Sequence, residues 1–135
     1  MTLTDPLFIL YGSATGNAEH IAKTLAESAT AAGHYKNVIC CELNDYKKQC
    51  LKYWEQEPKD SYYGVLIVTS TTGNGDAPEN ASRFVRFIKR NTSAKDLFAF
   101  CKFGVLALGD TNYDQFCAAG KLVDRKLAEL GGKRI

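Results

Sequence analysis

Three short, nearly continuous apolar runs, residues 7–11, 63–68 and 103–108, alternate with segments whose apolar residues recur every three or four positions. Runs rich in Val, Leu, Ile and aromatic residues, without polar alternation, suit strands buried on both faces. Residues 38–43 form a weaker fourth run. The intervening segments carry Ala18, Ile21, Ala22, Leu25 and Ala29, then Ala81, Phe84, Val85 and Ile88, then Ala119, Leu122, Val123, Leu127 and Leu130. Each set is one stripe of an amphipathic helix. Strand followed by helix, repeated, builds βαβ units, which require a parallel sheet with right-handed crossovers and helices on both faces. The expected class is therefore α/β, a doubly wound parallel sheet of order 2-1-3-4(-5), with ligands bound outside the carboxyl ends of the strands.

A chain of 135 residues with 45% hydrophobic content supports one core, so residues 1–135 read as a single domain. Seventeen basic against 15 acidic residues leave a formal charge of +2, and the basic residues are scattered along the chain. Neither nucleic-acid binding nor an acidic tail is indicated. The first residues carry no apolar run behind a positive segment, and no stretch approaches the roughly 18 apolar residues of a membrane span. No membrane segment is expected, and a cytoplasmic location is. Cys40, Cys41, Cys50, Cys101 and Cys117 form no CxxC pair, and His20 and His34 lack metal-ligand spacing. No metal site is expected, and the thiols read as small apolar filler. Residues 44–60 are polar and Lys-rich, which predicts a short irregular helix with Trp54 as a packing anchor.

Three Gly-rich or hydroxyl-rich loops follow the first, third and fourth runs. The first, "GSATGN" at residues 12–17, supplies permissive glycines and side-chain hydrogen-bonding groups where a helix begins, an arrangement that suits an anion. It is not a triphosphate loop, because Asn17 and Ala18 stand where Gly and Lys would be needed. A site built of hydroxyls and amides without Lys or Arg suits a monophosphate ester. The second, "STTGNGDAP" at residues 70–78, and the third, "LGDTNYDQFC" at residues 108–117, neighbour the first loop at one edge of a 2-1-3-4 sheet. Their glycines admit a flat ligand, and Tyr113 offers a ring to stack on it. A phosphoacceptor receiver module shares this layout, but it needs an acidic cluster after strand one and an Asp after strand three, where Ser13 and Ser70 stand. A third reading is an interaction module whose loops have ceased to bind a ligand. Asp76 and Asp110 read as loop-ordering residues, so no side chain is assigned a catalytic acid, base or nucleophile role.

The stretches "YGSATGNAEHIAKTLAE", "STTGNGDAPENASRFVRFI" and "GVLALGDTNYDQFCAAGKLVDRKLAELGGKRI" resemble, in order and spacing, the FMN-binding, flavodoxin-like domain of the diflavin reductases. That family includes NADPH–cytochrome P450 reductase and methionine synthase reductase. The resemblance implies an oxidoreductase domain in which FMN passes electrons from an FAD and NADPH module to an acceptor redox protein that holds haem, cobalamin or an iron–sulfur centre. It implies that Ser13, Ala14, Thr15, Gly16 and Asn17 wrap the FMN phosphate, while Thr71, Thr72, Gly73 and Asn74 line the inner side of the flavin. Leu108, Gly109, Asp110, Tyr113, Gln115, Phe116 and Cys117 would form the outer side, with Gly73 leaving its carbonyl free to turn toward the flavin N5. An acidic docking rim would draw on Asp76, Glu79, Asp110 and Asp114, and Cys117 is expected to pack.

Three departures from the family pattern carry expectations. Thr72 stands where an aromatic residue is usual, so one flavin face would be covered less completely. The chain shows no membrane anchor, which leans toward the soluble members. FAD and NADPH are expected only on modules outside this chain, which ends at Lys133-Arg134-Ile135, where a fifth strand would begin. The fifth strand and last helix are thus expected to be truncated, with residues 103–108 an exposed apolar edge prone to pairing and a stability partly restored by FMN.

Overall fold

The computed structural model describes residues 3–56, 61–71, 76–90, 96–108 and 117–135. Strands β1 (Leu3–Gly12), β2 (Val38–Glu42), β3 (Tyr62–Ser70), β4 (Cys101–Leu108) and β5 (Lys133–Arg134) form one sheet. Its order is β2-β1-β3-β4-β5, and every pairing is parallel. The helices are α1 (Asn17–Ala32), α2 (Tyr46–Gln49), α3 (Leu51–Trp54), α4 (Ser82–Arg90) and α5 (Ala118–Glu129).

The two central strands are buried on both faces, which is why their sequences lack polar alternation. Along β1, Phe8 and Leu10 join one core cluster while Leu7, Ile9 and Tyr11 join the other. The first cluster lies beneath α2 to α5, where Phe84, Val85 and Ile88 of α4 meet Val123 and Leu127 of α5. The second lies beneath α1, whose contact residues Ala18 and Ala22 are fully buried and small enough to let the helix sit close to the sheet. α1 ends at Gly33, which adopts φ 75° and returns its N–H to Thr30 C=O, a left-handed C-terminal cap. The irregular helix expected within residues 44–60 is a 3-10 turn, Leu43–Asp45, leading into α2 and α3. Trp54 is 5% exposed and stacks on Phe100 at 5.4 Å, the packing role foreseen for it.

The expected exposure of the edge at residues 103–108 is corrected in part. The end of the chain forms a short fifth strand, two residues long, at the place expected: Lys133 and Arg134 pair with Lys102 and Phe103, and Ile135 N–H donates to Phe103 C=O at 2.9 Å. The turn that delivers it uses Gly131 at φ 97° and a Gly132 N–H donated to Leu127 C=O at 2.8 Å. A Cβ on Gly132 would lie 2.9 Å from both that oxygen and the Phe103 ring, so only glycine fits. β4 is therefore covered at its start, whereas Leu106 further along stays 46% exposed. No helix among the described residues is long and apolar enough to cross a membrane.

Candidate functional site

The carboxyl ends of β1 and β3 bring the first two loops together through named bonds. Ala14 N–H donates to Ser70 Oγ, and Ser70 Oγ–H donates to Gly12 C=O, both at 3.4 Å. Ser13 N–H donates to Asn80 Oδ1 at 2.9 Å. The helix that follows the third loop is tied to the second loop where Ala119 N–H, in the first turn of α5, donates to Thr71 Oγ1 at 3.1 Å. The first two loops thus meet at one sheet edge and the start of α5 is tied to the second; residues 109–116 of the third loop lie outside the described residues.

Close backbone approach holds this edge together. A Cβ on Gly12 would lie 2.7 Å from Ala81 Cβ and 2.9 Å from Thr69 Oγ1. A Cβ on Gly120 would lie 2.3 Å from Ala107 Cβ. Both glycines let a helix start press against a strand end, which keeps the loops above them in contact.

The turn at residues 13–17 is shaped for an anion. Gly16 stands at the start of α1 with φ 95°, and no side chain caps that helix. Ser13 Oγ accepts from Gly16 N–H at 2.7 Å, which tightens the turn. His20 N–H makes the first intrahelical bond, to Gly16 C=O. The N–H groups of Asn17, Ala18 and Glu19 therefore precede the helical ladder and have no partner within it. Ala14, Thr15, Gly16 and Asn17 are all exposed, so Asn17, with its N–H outside the ladder, and Thr15, with its hydroxyl, lie at the surface at the positive end of the helix dipole, whereas Ala18 is fully buried. Beside them lies an open cleft of about 700 Å³ whose lining includes Ser13, Ala14, Asn80 and Arg83. At the inner end of the turn, burial first and Glu19 second push the Tyr11 hydroxyl above its ordinary pKa, so it stays neutral. The turn thus offers an uncapped helix start and a hydroxyl, and Arg83 adds a cation to the cleft beside it, where the sequence expected a site without Lys or Arg.

Of the remaining predicted site residues, Leu108 is partly buried at the end of β4. Cys117 is 7% exposed, with its thiol directed at Ala107 C=O at 3.7 Å, and it begins α5 in the left-handed conformation at φ 54°. Packing is the role this gives it. Thr72, Gly73, Asn74, Gly109, Asp110, Tyr113, Gln115 and Phe116 lie outside the described residues. His20 and His34 are exposed.

Sequence reasoning missed two asparagines. Asn80 is the acceptor that fixes Ser13. Asn44 Oδ1 accepts from the N–H groups of Arg83 and Phe84 at 2.8 and 3.2 Å, and its Nδ2 donates to Glu79 C=O at 2.8 Å. Asn44 thus caps α4 from a segment about 40 residues away, as the sequence separations of 39 and 40 show. No local pattern announces such a cap, because capping signals are read within a few residues of the helix they serve.

Comparison with known proteins gives the same picture. Over 127 residues the chain is 37% identical to methionine synthase reductase of Bos taurus, covering 94% of this chain and 17% of that protein. Over 129 residues it is 40% identical to the sulfite reductase [NADPH] flavoprotein alpha-component of Bacillus subtilis, covering 94% of this chain and 19% of that protein. The chain thus spans under a fifth of the length of these relatives. Among solved structures, a cysteine-to-serine mutant of flavodoxin from Pseudomonas aeruginosa superposes with a TM-score of 0.72 at 30% identity, over 96% of this chain and 78% of the other. The flavodoxin profile itself matches residues 9–135, and on that evidence, together with the sheet order and the site edge described above, the chain belongs to the flavodoxin family.

Proposed function

We propose that residues 1–135 form one FMN-binding domain of a diflavin reductase, an oxidoreductase domain that passes electrons from an FAD and NADPH module to an acceptor redox protein. The observation that carries this reading is the uncapped turn at residues 13–17, where Asn17, with its N–H outside the ladder, and Thr15, with its hydroxyl, lie at the surface at a helix start. The identity to methionine synthase reductase and to a sulfite reductase flavoprotein across 94% of the chain supports the assignment to electron transfer.

When bound, FMN supplies the redox chemistry, taking up and releasing electrons one or two at a time. The chain's own residues bind, orient and shield. Ser13, Ala14, Thr15, Gly16 and Asn17 would hold the phosphate by amide and hydroxyl donation. Thr71, Thr72, Gly73 and Asn74 would line the inner side of the ring, and Leu108, Gly109, Asp110, Tyr113, Gln115, Phe116 and Cys117 the outer side. Thr71 has a second duty, since its Oγ1 already accepts from Ala119 N–H and so ties the inner loop to the start of α5. Cys117 contributes by filling space, with its buried thiol turned toward Ala107 C=O. No side chain here is required to move a proton.

Fluorescence titration of the apo chain with FMN and with riboflavin tests the reading. FMN should be quenched at one equivalent and bound at least about tenfold tighter than riboflavin, because riboflavin lacks the phosphate whose charged hydrogen bonds are worth about 1.5–3 kcal/mol each. Equal affinities would remove the phosphate role of the turn. Absence of quenching with either flavin would remove the cofactor.

A further inference from the structure

Five of the 17 basic residues that look scattered in the sequence are gathered by the fold into one groove. An open cleft of about 570 Å³ runs between α2 and α4. Lys47 and Lys48 line one wall, and Arg83, Arg86 and Arg90 line the other. The three arginines follow i, i+3, i+7 spacing, so they form one stripe about 10 Å long on α4. All five cations are exposed, and none takes part in an ion pair among the described residues, where the pairs involve α1, α5 and β5 instead. Asp45 is the one carboxylate on the lining among the described residues.

This arrangement costs the folded chain stability. Neighbouring like charges on a helix repel, and Arg83 lies in the first turn of α4, where the helix dipole disfavours a cation. Among the described residues no ion pair offsets this. The walls are nevertheless fixed in place. Phe84, Val85 and Ile88 anchor the opposite side of α4 in the core. The Tyr46 ring joins α2 to α4 by packing 5.4 Å from Phe84 and 5.0 Å from Phe87. The groove therefore needs no rearrangement before it is used.

We infer that this groove docks an acidic segment of a protein partner beside the cofactor turn. The placement rests on the FMN reading: Arg83 and Asn44 also line the cleft that reaches Ser13 and Ala14, so a segment seated in the groove approaches the same sheet edge. The charged heads are exposed and spread along both walls, which suits an extended run of carboxylates at about 3.3 Å per residue better than one compact anion. Of the two rings on the lining, Tyr46 is 3% exposed and the half-buried Phe87 packs on it at 5.0 Å, so neither stands out from the wall for the base stacking that single-stranded nucleic acid uses. This cationic groove is a separate surface from the acidic rim expected around Asp76, Glu79, Asp110 and Asp114.

The test measures anisotropy of a fluorescein-labelled deca-glutamate peptide with the full chain, with and without FMN. The groove variant K48Q/R86Q/R90Q should bind the peptide at least about tenfold more weakly, whereas the charge-matched K36Q/K52Q/R125Q should lose less than about threefold. Arg86→Lys with Arg90→Lys keeps the charge and should retain the affinity, which separates docking from any effect on folding. Equal losses in the two triple variants would overturn the inference. So would tighter binding at the groove by inorganic tripolyphosphate or by a single-stranded oligothymidylate. FMN titration of the same variants keeps the two readings apart: peptide binding without FMN binding refutes the cofactor, and FMN binding with equal peptide losses refutes the dock.

Discussion

Replacing Gly120 by Ala sets two effects of opposite sign against each other. In favour of the variant, Ala in a helix is better than Gly by about 1 kcal/mol, and less than that in a first turn. Against it, the added Cβ would lie 2.3 Å from Ala107 Cβ and 3.1 Å from Ala107 Cα. Non-bonded carbons settle at about 3.5–4.0 Å, so α5 and β4 must part by more than about 1 Å. Neither side can yield cheaply, because Ala107 Cβ is fixed to the backbone of β4 and α5 is held by buried Ala119, Val123 and Leu127. Overpacking of this kind costs about 1–3 kcal/mol, and rigid neighbours put this site in the upper half of that range. The net expectation is a loss of about 1–2 kcal/mol, read as a lower urea midpoint at unchanged m-value. The lifted helix would also strain the Ala119 N–H bond to Thr71 Oγ1, so FMN affinity should fall with stability. Ala107→Gly in the same chain should recover much of the loss. A Gly120→Ala chain as stable as the parent would refute the reasoning.

Thr15→Val keeps the shape of the exposed turn but deletes the hydroxyl, and FMN affinity by fluorescence titration should fall about ten- to a hundredfold. Asn44→Ala leaves the N–H groups of Arg83 and Phe84 and the C=O of Glu79 without their partner. A stability loss of about 1–2 kcal/mol is expected from urea titration. Burial pushes the Cys101 thiol up to about 12. The folded state therefore keeps its proton where the unfolded thiol has lost it, so this contribution is complete below about pH 9 and is lost as pH rises toward 12. Between pH 9 and 10 the parent chain should lose stability more steeply than Cys101→Ala, and parallel slopes would exclude the thiol. At pH 8, iodoacetamide should leave Cys101 unmodified until denaturant is added, as mass spectrometry of peptides can show.

The fold was legible where a sequence run answers to one environment. The runs at residues 7–11 and 63–68 lie in strands that pack on both faces, so their composition alone marked them, whereas in the equally apolar 103–108 only Phe103 is buried and Leu106 is exposed. β2 gave a weaker signal because only Cys41 of its five residues is buried. The extension of β1 back to Leu3 was missed, since Thr4, Asp5 and Pro6 carry no strand pattern and the β1–β3 register shifts between Thr4 and Phe8. Phe98 and Phe100 are 2% and 5% exposed and pack on Trp54, yet they precede β4 in a turn with no periodicity to reveal them. In the site, glycines and hydroxyls flagged the loops, because close approach and anion binding demand those residue types locally. Asn44, Asn80 and the basic groove were not readable, since each depends on segments dozens of residues apart that only the tertiary structure brings together.

The bonds that join the first two loops to each other, to Asn80 and to the start of α5 also fix when the site can exist during folding. Ser13 reaches Asn80 across 67 residues, Ala14 reaches Ser70 across 56, and Thr71 reaches Ala119 across 48. Each contact closes a long loop of chain, and such closures bring no reward until the intervening elements are in place. An excised β1–α1 segment would carry the whole "GSATGN" turn but none of Asn80, Ser70 or Thr71. The cofactor edge is thus among the last features to assemble and among the first to be lost when α5 detaches, so flavin binding reports on the integrity of the entire sheet.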